Sequence, residues 1–92
     1  MTPAELVEIL YKHEEWLKGK RGGVCANLAL QDLCGLSMPA VQLRKAKLTG
    51  ADMSNGDFSG ANFAEADLFG ANLQESNFRK ADLTSADLRG AI

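Results

Sequence analysis

One histidine, two cysteines and a regular scatter of aspartates are the residues of this 92-residue chain that could do chemistry. His13 could serve as a general base only beside a nucleophile and an orienting group. It lies instead at helical spacing among Leu6, Ile9, Leu10, Trp16 and Leu17, where a packed or capping imidazole is the expectation. Cys25 and Cys34 lack the CxxC spacing of a metal pair and are too few for a disulfide framework, so they are read as reduced thiols. Asp32, Asp52, Asp57, Asp67, Asp82 and Asp87 could line a metal site or imitate a nucleic-acid backbone, or each could accept a hydrogen bond from its own turn. The glycine-aspartate nonapeptide spacing of calcium-binding β-helices is absent. The Lys20–Gly23 stretch KRGG follows no strand and leads to no GK[ST], which makes it a connection and not a phosphate loop. No catalytic, cofactor or metal residue is assigned on these patterns.

Two surface features remain. Arg44, Lys45 and Lys47 form a basic cluster that Lys20 and Arg21 could extend; without interleaved aromatics it reads first as a solvated face and second as a contact for an anionic partner. Phe69 follows a large apolar residue directly, so a wall that buries the first exposes the second; it and Ile92 are candidate partner contacts. The formal net charge is −2, with four acids and four bases before Ala26 and eight and six after it, so no field of one sign points to nucleic acid or membrane. The chain has no apolar run long enough to cross a membrane and no basic-then-apolar leader. A cytosolic location is the expectation.

The elements that position these residues differ in period. Thr2-Pro3-Ala4-Glu5 fits a capping box with proline at the first helical position, and the apolar stripe through Leu17 needs a surface to pack on. A helix over 2–18 and a loop over 19–25 are expected. From Ala26 the period becomes five. Leu28, Leu33, Met38, Leu43, Leu48, Met53, Phe58, Phe63, Leu68, Leu73, Phe78, Leu83 and Leu88 recur without a slip. On a helix this period would spray the residues around the axis, and a strand repeats a face every second residue. Each five-residue unit therefore reads as one short side of a coil that turns a corner before the next.

The unit A(D/N)LXX, matched at all three key positions in nine of thirteen copies when alanine, glycine or serine is the small residue, resembles the pentapeptide-repeat family. The resemblance covers residues 26–92. It implies an all-β domain, a right-handed quadrilateral parallel β-helix of about three coils, with the central and small residues pointing inward and four units to a coil. Stacked at twenty residues, the first side is a leucine ladder of Leu28, Leu48, Leu68 and Leu88, and Gly50, Gly70 and Gly90 share one outward column that suits a positive-φ corner.

The first coil breaks the pattern with Gln31, Leu36 and Val41 at small positions, Ser37 and Gln42 before central residues, and Pro39. Its extra apolar side chains are expected to meet the helix, which would cap the core, all within a single domain of 1–92. No equivalent cap is evident beyond Gly90. This suggests either a homodimer through the coil from Leu73 to Ile92 or an array that continues in a longer protein. The resemblance implies a non-enzymatic, bacterial-type scaffold or protein-binding module with no cofactor. The alternative is a DNA mimic acting on DNA gyrase, as some family members are thought to be, although Arg44, Lys45, Lys47, Arg79, Lys80 and Arg89 offset the aspartates.

Overall fold

A computed structural model describes all residues, Met1–Ile92. Helix α1 spans Pro3–Leu17, flanked by Thr2 as N-cap and Lys18 as C-cap. Thr2 Oγ1 accepts from the Glu5 N–H at 3.1 Å, and Glu5 Oε1 accepts from the Thr2 N–H at 2.9 Å, which satisfies two of the free amide donors at the helix start. At the other end Gly19 takes φ 72°, the Gly19 N–H reaches the Trp16 carbonyl and the Lys20 N–H the Glu15 carbonyl, a Schellman closure.

From Ala26 the chain winds in units of five, and residues twenty apart lie one above the other. Parallel bridges join Asn27 to Lys47 and Lys47 to Asp67 on the first side, Asp32 to Asp52 on the second, Ser37 to Asp57 on the third and Gln42 to Asn62 on the fourth. The β character resides in these single bridges at each corner-to-corner side; no side is long enough to form an extended strand.

The reason for the repeat lies in its amide donors. In the unit Ala26-Asn27-Leu28-Ala29-Leu30, the Leu28 and Leu30 N–H groups donate downward to the carbonyls of Lys47 and Thr49, and the Ala26 carbonyl accepts from the Lys47 N–H below. A turn bond runs from the Gln31 N–H to the Leu28 carbonyl. Apart from the turn at Gly56, the same bonds recur at the equivalent positions wherever a coil lies below, which leaves one donor per unit, the N–H after the central residue. The Asx side chain accepts it: Asn27 Oδ1 from Ala29 N–H, Asp32 from Cys34, Asp67 from Phe69, Asp82 from Thr84. Where a coil also lies above, as for the unit Ala51–Asn55, the Asp52 N–H donates up to the Gln31 carbonyl and every backbone donor is satisfied.

The turn explains the fifth residue. Every fifth residue from Leu30 to Gly90 has positive φ, between 57° and 65° where it is not glycine and up to 74° where it is. A positive φ at the third residue of a four-residue turn, closed by a bond from first to fourth, is the type II signature. Pro39 fits this geometry, because type II turns favour proline at the second position. Proline also has no N–H, so Ser37 can stand where Asp or Asn is otherwise needed.

Leu28, Leu33, Leu43, Leu48, Met53, Phe58, Phe63 and Leu68 are fully buried or nearly so, with Ala26, Ala46, Ala51, Ala61, Ala66 and Ala71 between them. Phe58 stacks on Phe78 with ring centroids 5.3 Å apart and meets Phe63 edge-on at 5.8 Å. Gly56 makes room for this cluster, since a Cβ there would lie 2.5 Å from the Phe58 ring. The turn bond expected at Gly56 is opened, and the Ser76 hydroxyl bridges it, accepting from the Gly56 N–H and donating to the Met53 carbonyl.

Burial is not uniform along the thirteen central residues. Met38, Leu73, Phe78 and Leu83 are half-buried, and Leu88 is 40% exposed. Exposure is greatest at Leu88, in the last unit, beneath which no further coil of residues 1–92 stacks. Leu6, Ile9 and Leu10 of α1 pack on the core with Leu36 and Val41 of the first coil. Trp16 is a correction: it is 37% exposed. The loop runs against the helix backbone there, a Gly23 Cβ falling 2.3 Å from the Trp16 nitrogen, so the link and not the coil faces that turn.

Candidate functional site

His13 is the one charged-type residue in the interior, 0% exposed. Its Nδ1 accepts from the Ala26 N–H at 2.9 Å, and its Nε2 lies 2.8 Å from the Arg44 carbonyl oxygen. A carbonyl needs a donor and an N–H needs an acceptor, so the ring is neutral with its hydrogen on Nε2. The imidazole thus stands in for a preceding repeat unit: Nδ1 takes the place of the turn carbonyl that an N–H at Ala26's position otherwise meets, and Nε2–H that of the fifth-residue N–H that a carbonyl at Arg44's position otherwise accepts. Burial holds its pKa below the usual value, against the opposing pulls of the Arg44 carbonyl and Glu14. Trp16 stacks on the ring at 5.5 Å. With both nitrogens engaged by backbone, the ring has no proton to exchange with a substrate.

The aspartates stand at the corners as acceptors. Hydrogen bonds lower the carboxyls of Asp52, from Ser54, Asp57, from Ser59, and Asp82, from Thr84, while Arg89 lowers Asp87. Asp32, Cys34 and Asp52 place three ligand atoms within 4.8 Å of one another on the second side, a grouping the sequence reading did not anticipate. The twenty-residue stacking of Asp32 on Asp52 was the signal. Ser54 already donates to Asp52 at 2.6 Å and reaches Cys34 Sγ at 3.4 Å. Three donors fall one short of a closed zinc set.

The basic cluster is divided. Arg44 is bound by Glu65, with Nη2 3.0 Å and Nε 3.2 Å from Oε2, a partner one coil below that the sequence reading did not weigh. Lys20 pairs with Glu15 at 3.7 Å. Lys45 stands at a positive-φ corner, and Lys47 is exposed between Asn27 and Asp67. On the same side Phe69 is 48% exposed, with the Arg89 guanidinium 5.6 Å from its ring centroid. Arg89 is itself held by Asp87 at 2.8 Å. An open apolar groove of about 320 Å³ separates Leu6, Val7 and Leu10 of α1 from Leu33, Leu36 and Met38 of the first coil. Ile92 is 67% exposed.

The geometry and the sequence pattern agree with known proteins. The model of pentapeptide repeats matches residues 26–63 and 61–92. The chain belongs to the pentapeptide-repeat family. Among solved structures it is similar to the pentapeptide-repeat protein Rfr23 of the cyanobacterium Cyanothece 51142, at 25% identity over 71% of this chain and 54% of that one, with a TM-score of 0.59. It is also similar to alr5209 of Nostoc Pcc 7120, at 29% identity over 98% of this chain and 74% of that one, with a TM-score of 0.53. This pentapeptide-repeat chain therefore spans about half the length of the first relative. No curated protein matches it closely. Membership implies a right-handed β-helical solenoid, and the family's general role is that of a scaffold or interaction module.

Proposed function

We propose that this pentapeptide-repeat protein is a non-enzymatic binding module that presents the Phe69–Arg89 wall to a protein partner. The observation that carries the reading is the exposed aromatic ring under a guanidinium already fixed by Asp87. Aromatic residues and arginine dominate the energetics of protein interfaces, and a side chain held before binding loses little entropy on contact. The ladder beneath makes the wall rigid. The two free cysteines favour a reducing compartment, which supports a cytoplasmic protein. The engagement of His13 by backbone on both nitrogens supports the absence of catalysis.

The mimicry of DNA has weaker support, since the aspartates are spent on corner amides and two of the flanking acids, Glu65 and Asp87, are neutralised by arginine. Cross-linking in the native host tests the proposal. Wild-type protein is expected to capture a partner that Phe69→Ala and Arg89→Ala lose and Lys45→Ala keeps. Equal capture by Phe69→Ala overturns it. Inhibition of purified gyrase supercoiling at stoichiometric protein would favour the mimic instead.

A further inference from the structure

One corner in the middle of the stack differs from the others in both bonding and sequence. Elsewhere the N–H three residues after a central residue closes the turn on that residue's carbonyl, as Ala51 does on Leu48 and Ala61 on Phe58. The turn Met53-Ser54-Asn55-Gly56 alone lacks this bond. Its Gly56 N–H meets only the Ser76 hydroxyl, at 3.4 Å, the long end of hydrogen-bonding distance. The same turn carries the chain's one Asn-Gly pair. Asn55 is exposed at φ 57°, with Gly35 one coil above and Glu75 one coil below. Asn27, Asn62, Asn72 and Asn77 differ on each count: a bulky central residue follows each, and the Oδ1 of each is held by the amide two residues on.

We infer that Asn55–Gly56 is a site of spontaneous backbone modification, where the Gly56 nitrogen closes a succinimide on the Asn55 side chain and the isoaspartyl product breaks the corner. The Gly56 nitrogen loses its proton to hydroxide and attacks Asn55 Cγ. The N–Cγ bond forms, the Cγ–Nδ2 bond breaks, and Nδ2 leaves as ammonia with a proton from water, which restores the hydroxide. Water then opens the five-membered ring. Cleavage at Cγ leaves aspartate; cleavage at the backbone carbonyl leaves isoaspartate, whose chain runs through Cβ and Cγ. The sum is asparagine and water giving a carboxylic acid and ammonia, with nothing oxidised or reduced. Glycine favours ring closure because it has no Cβ to crowd the attacking nitrogen. Closure also needs rotation about the Asn55 Cα–C bond, out of the turn conformation. At the other corners that rotation breaks a turn bond, and at this one there is none to break. Isoaspartate adds a carbon to the backbone amid three bonds between coils: Asn55 N–H to the Gln74 carbonyl, Asp57 N–H to the Leu36 carbonyl and Asn77 N–H to the Gly56 carbonyl. Its carboxylate is also a new charge above Glu75, and like charges facing each other on neighbouring strands repel.

The test holds folded wild-type protein in mildly alkaline buffer and reads its peptides by mass spectrometry for the exchange of NH2 for OH. Asn55 is expected to convert more than about tenfold faster than Asn27, Asn62, Asn72 or Asn77 in the same molecule. An isoaspartyl-specific carboxyl methyltransferase is expected to label the aged protein and not aged Asn55→Gln, whose longer side chain would have to close a six-membered ring. Glutamine suits the corner, since Glu65 and Glu75 hold positive φ at the same position of their units. Before ageing, the Gly56 N–H is expected to exchange more than about tenfold faster than the Ala51 and Ala61 N–H groups. The modified fraction carries a charge beyond the formal −2 and is isolated by ion exchange. It is expected to unfold at lower urea than fresh protein and than Asn55→Asp, which has the charge without the extra carbon. The inference is overturned by equal conversion of all the asparagines, by aspartate without isoaspartate, by a Gly56 amide as protected as those of Ala51 and Ala61, or by a modified fraction as stable as Asn55→Asp. Phe69 stands on another side of the coil, so partner capture by fresh protein tests the wall separately.

Discussion

The upper and lower ends of the stack carry the same kind of side chain and have opposite fates. Leu28 and Leu88 occupy the same column, three coils apart; the first is 0% exposed under α1 and the second 40% exposed. The upper end is irregular in sequence and closed in structure. The lower end is regular in sequence and open. Regularity in a solenoid therefore specifies stacking and leaves termination to residues that break the repeat: Leu36 and Val41 of the first coil pack with Leu6, Ile9 and Leu10, and His13 replaces the bonds that a preceding unit would make.

The widest separation between the two ends is expected from truncating one column at two depths. Leu68→Ala should cost about 2–5 kcal/mol, since it opens a cavity in a fully buried layer. Leu88→Ala should cost less than about 1 kcal/mol, since much of that side chain already meets water. Urea denaturation of the two variants measures the difference, and equal costs would mean that the lower face is closed in solution.

His13→Ala comes next, at about 2–4 kcal/mol, because it leaves the Ala26 N–H and the Arg44 carbonyl unpaired under the helix. The same ring makes the closed end sensitive to acid. Its folded pKa lies below the ordinary 6.5, so the unfolded chain binds the proton more readily. Stability is then complete above that value and declines as pH falls below it, until the folded ring also titrates. Protonation removes the Nδ1 acceptor of the Ala26 N–H. The corner carboxylates of Asp52, Asp57, Asp82 and Asp87 act in a lower window, their contribution lost as pH falls below about 4. Melting temperatures of wild type and His13→Gln between pH 7 and 5 check this: the decline should vanish in the variant.

The five-residue period, the inward ladder and the capping helix were legible because each follows from apolar spacing and from the signals at Thr2 and Gly19. The hydrogen-bonding logic was less so. The glycine column at 50, 70 and 90 suggested a positive-φ corner, yet the requirement extends to every fifth residue. The available signal was the absence of any β-branched or aromatic residue at that position in all thirteen units. Pro39 looked like a fault and is a consequence, because a turn whose second residue has no N–H needs no Asx acceptor. The exposure of Trp16 depended on the path of Gly23, which side-chain spacing does not encode. Arg44 was assigned to a basic cluster, and its pairing with Glu65 needed the twenty-residue stacking applied to outward positions as well as inward ones.

The corner rule gives a prediction at the irregular end. Leu30 holds φ 62° although it is a bulky aliphatic residue, and its side chain is 80% exposed. Leu30→Gly should stabilise by about 1 kcal/mol, the strain of a left-handed residue less the added freedom of the unfolded chain. Gly50→Ala, directly below, should do the reverse, since its Cβ would fall 2.7 Å from Leu30 Cδ2 in a conformation that already disfavours a side chain.

The smallest expected effect concerns the one donor that the repeat assigns to a side chain. Arg44 and Thr49 are the two non-proline residues after a central position in the upper part of the coil whose N–H makes no hydrogen bond, and both follow a unit without Asp or Asn. Gln42 is one methylene too long and turns its amide to the Ala40 carbonyl at 3.3 Å. Lys47 has no acceptor to offer. Lys47→Asn restores the corner bond to the Thr49 N–H without placing another negative charge above Asp67, and should add about 0.5–1 kcal/mol. Lys47→Ala is the control, since it removes the same charge without supplying an acceptor. If both variants shift the denaturation midpoint alike, the gain comes from losing the lysine, and the corner bond contributes little at this exposed position. If only the asparagine stabilises, the irregular first turn of the stack has been made to obey the same donor rule as the regular coils beneath it.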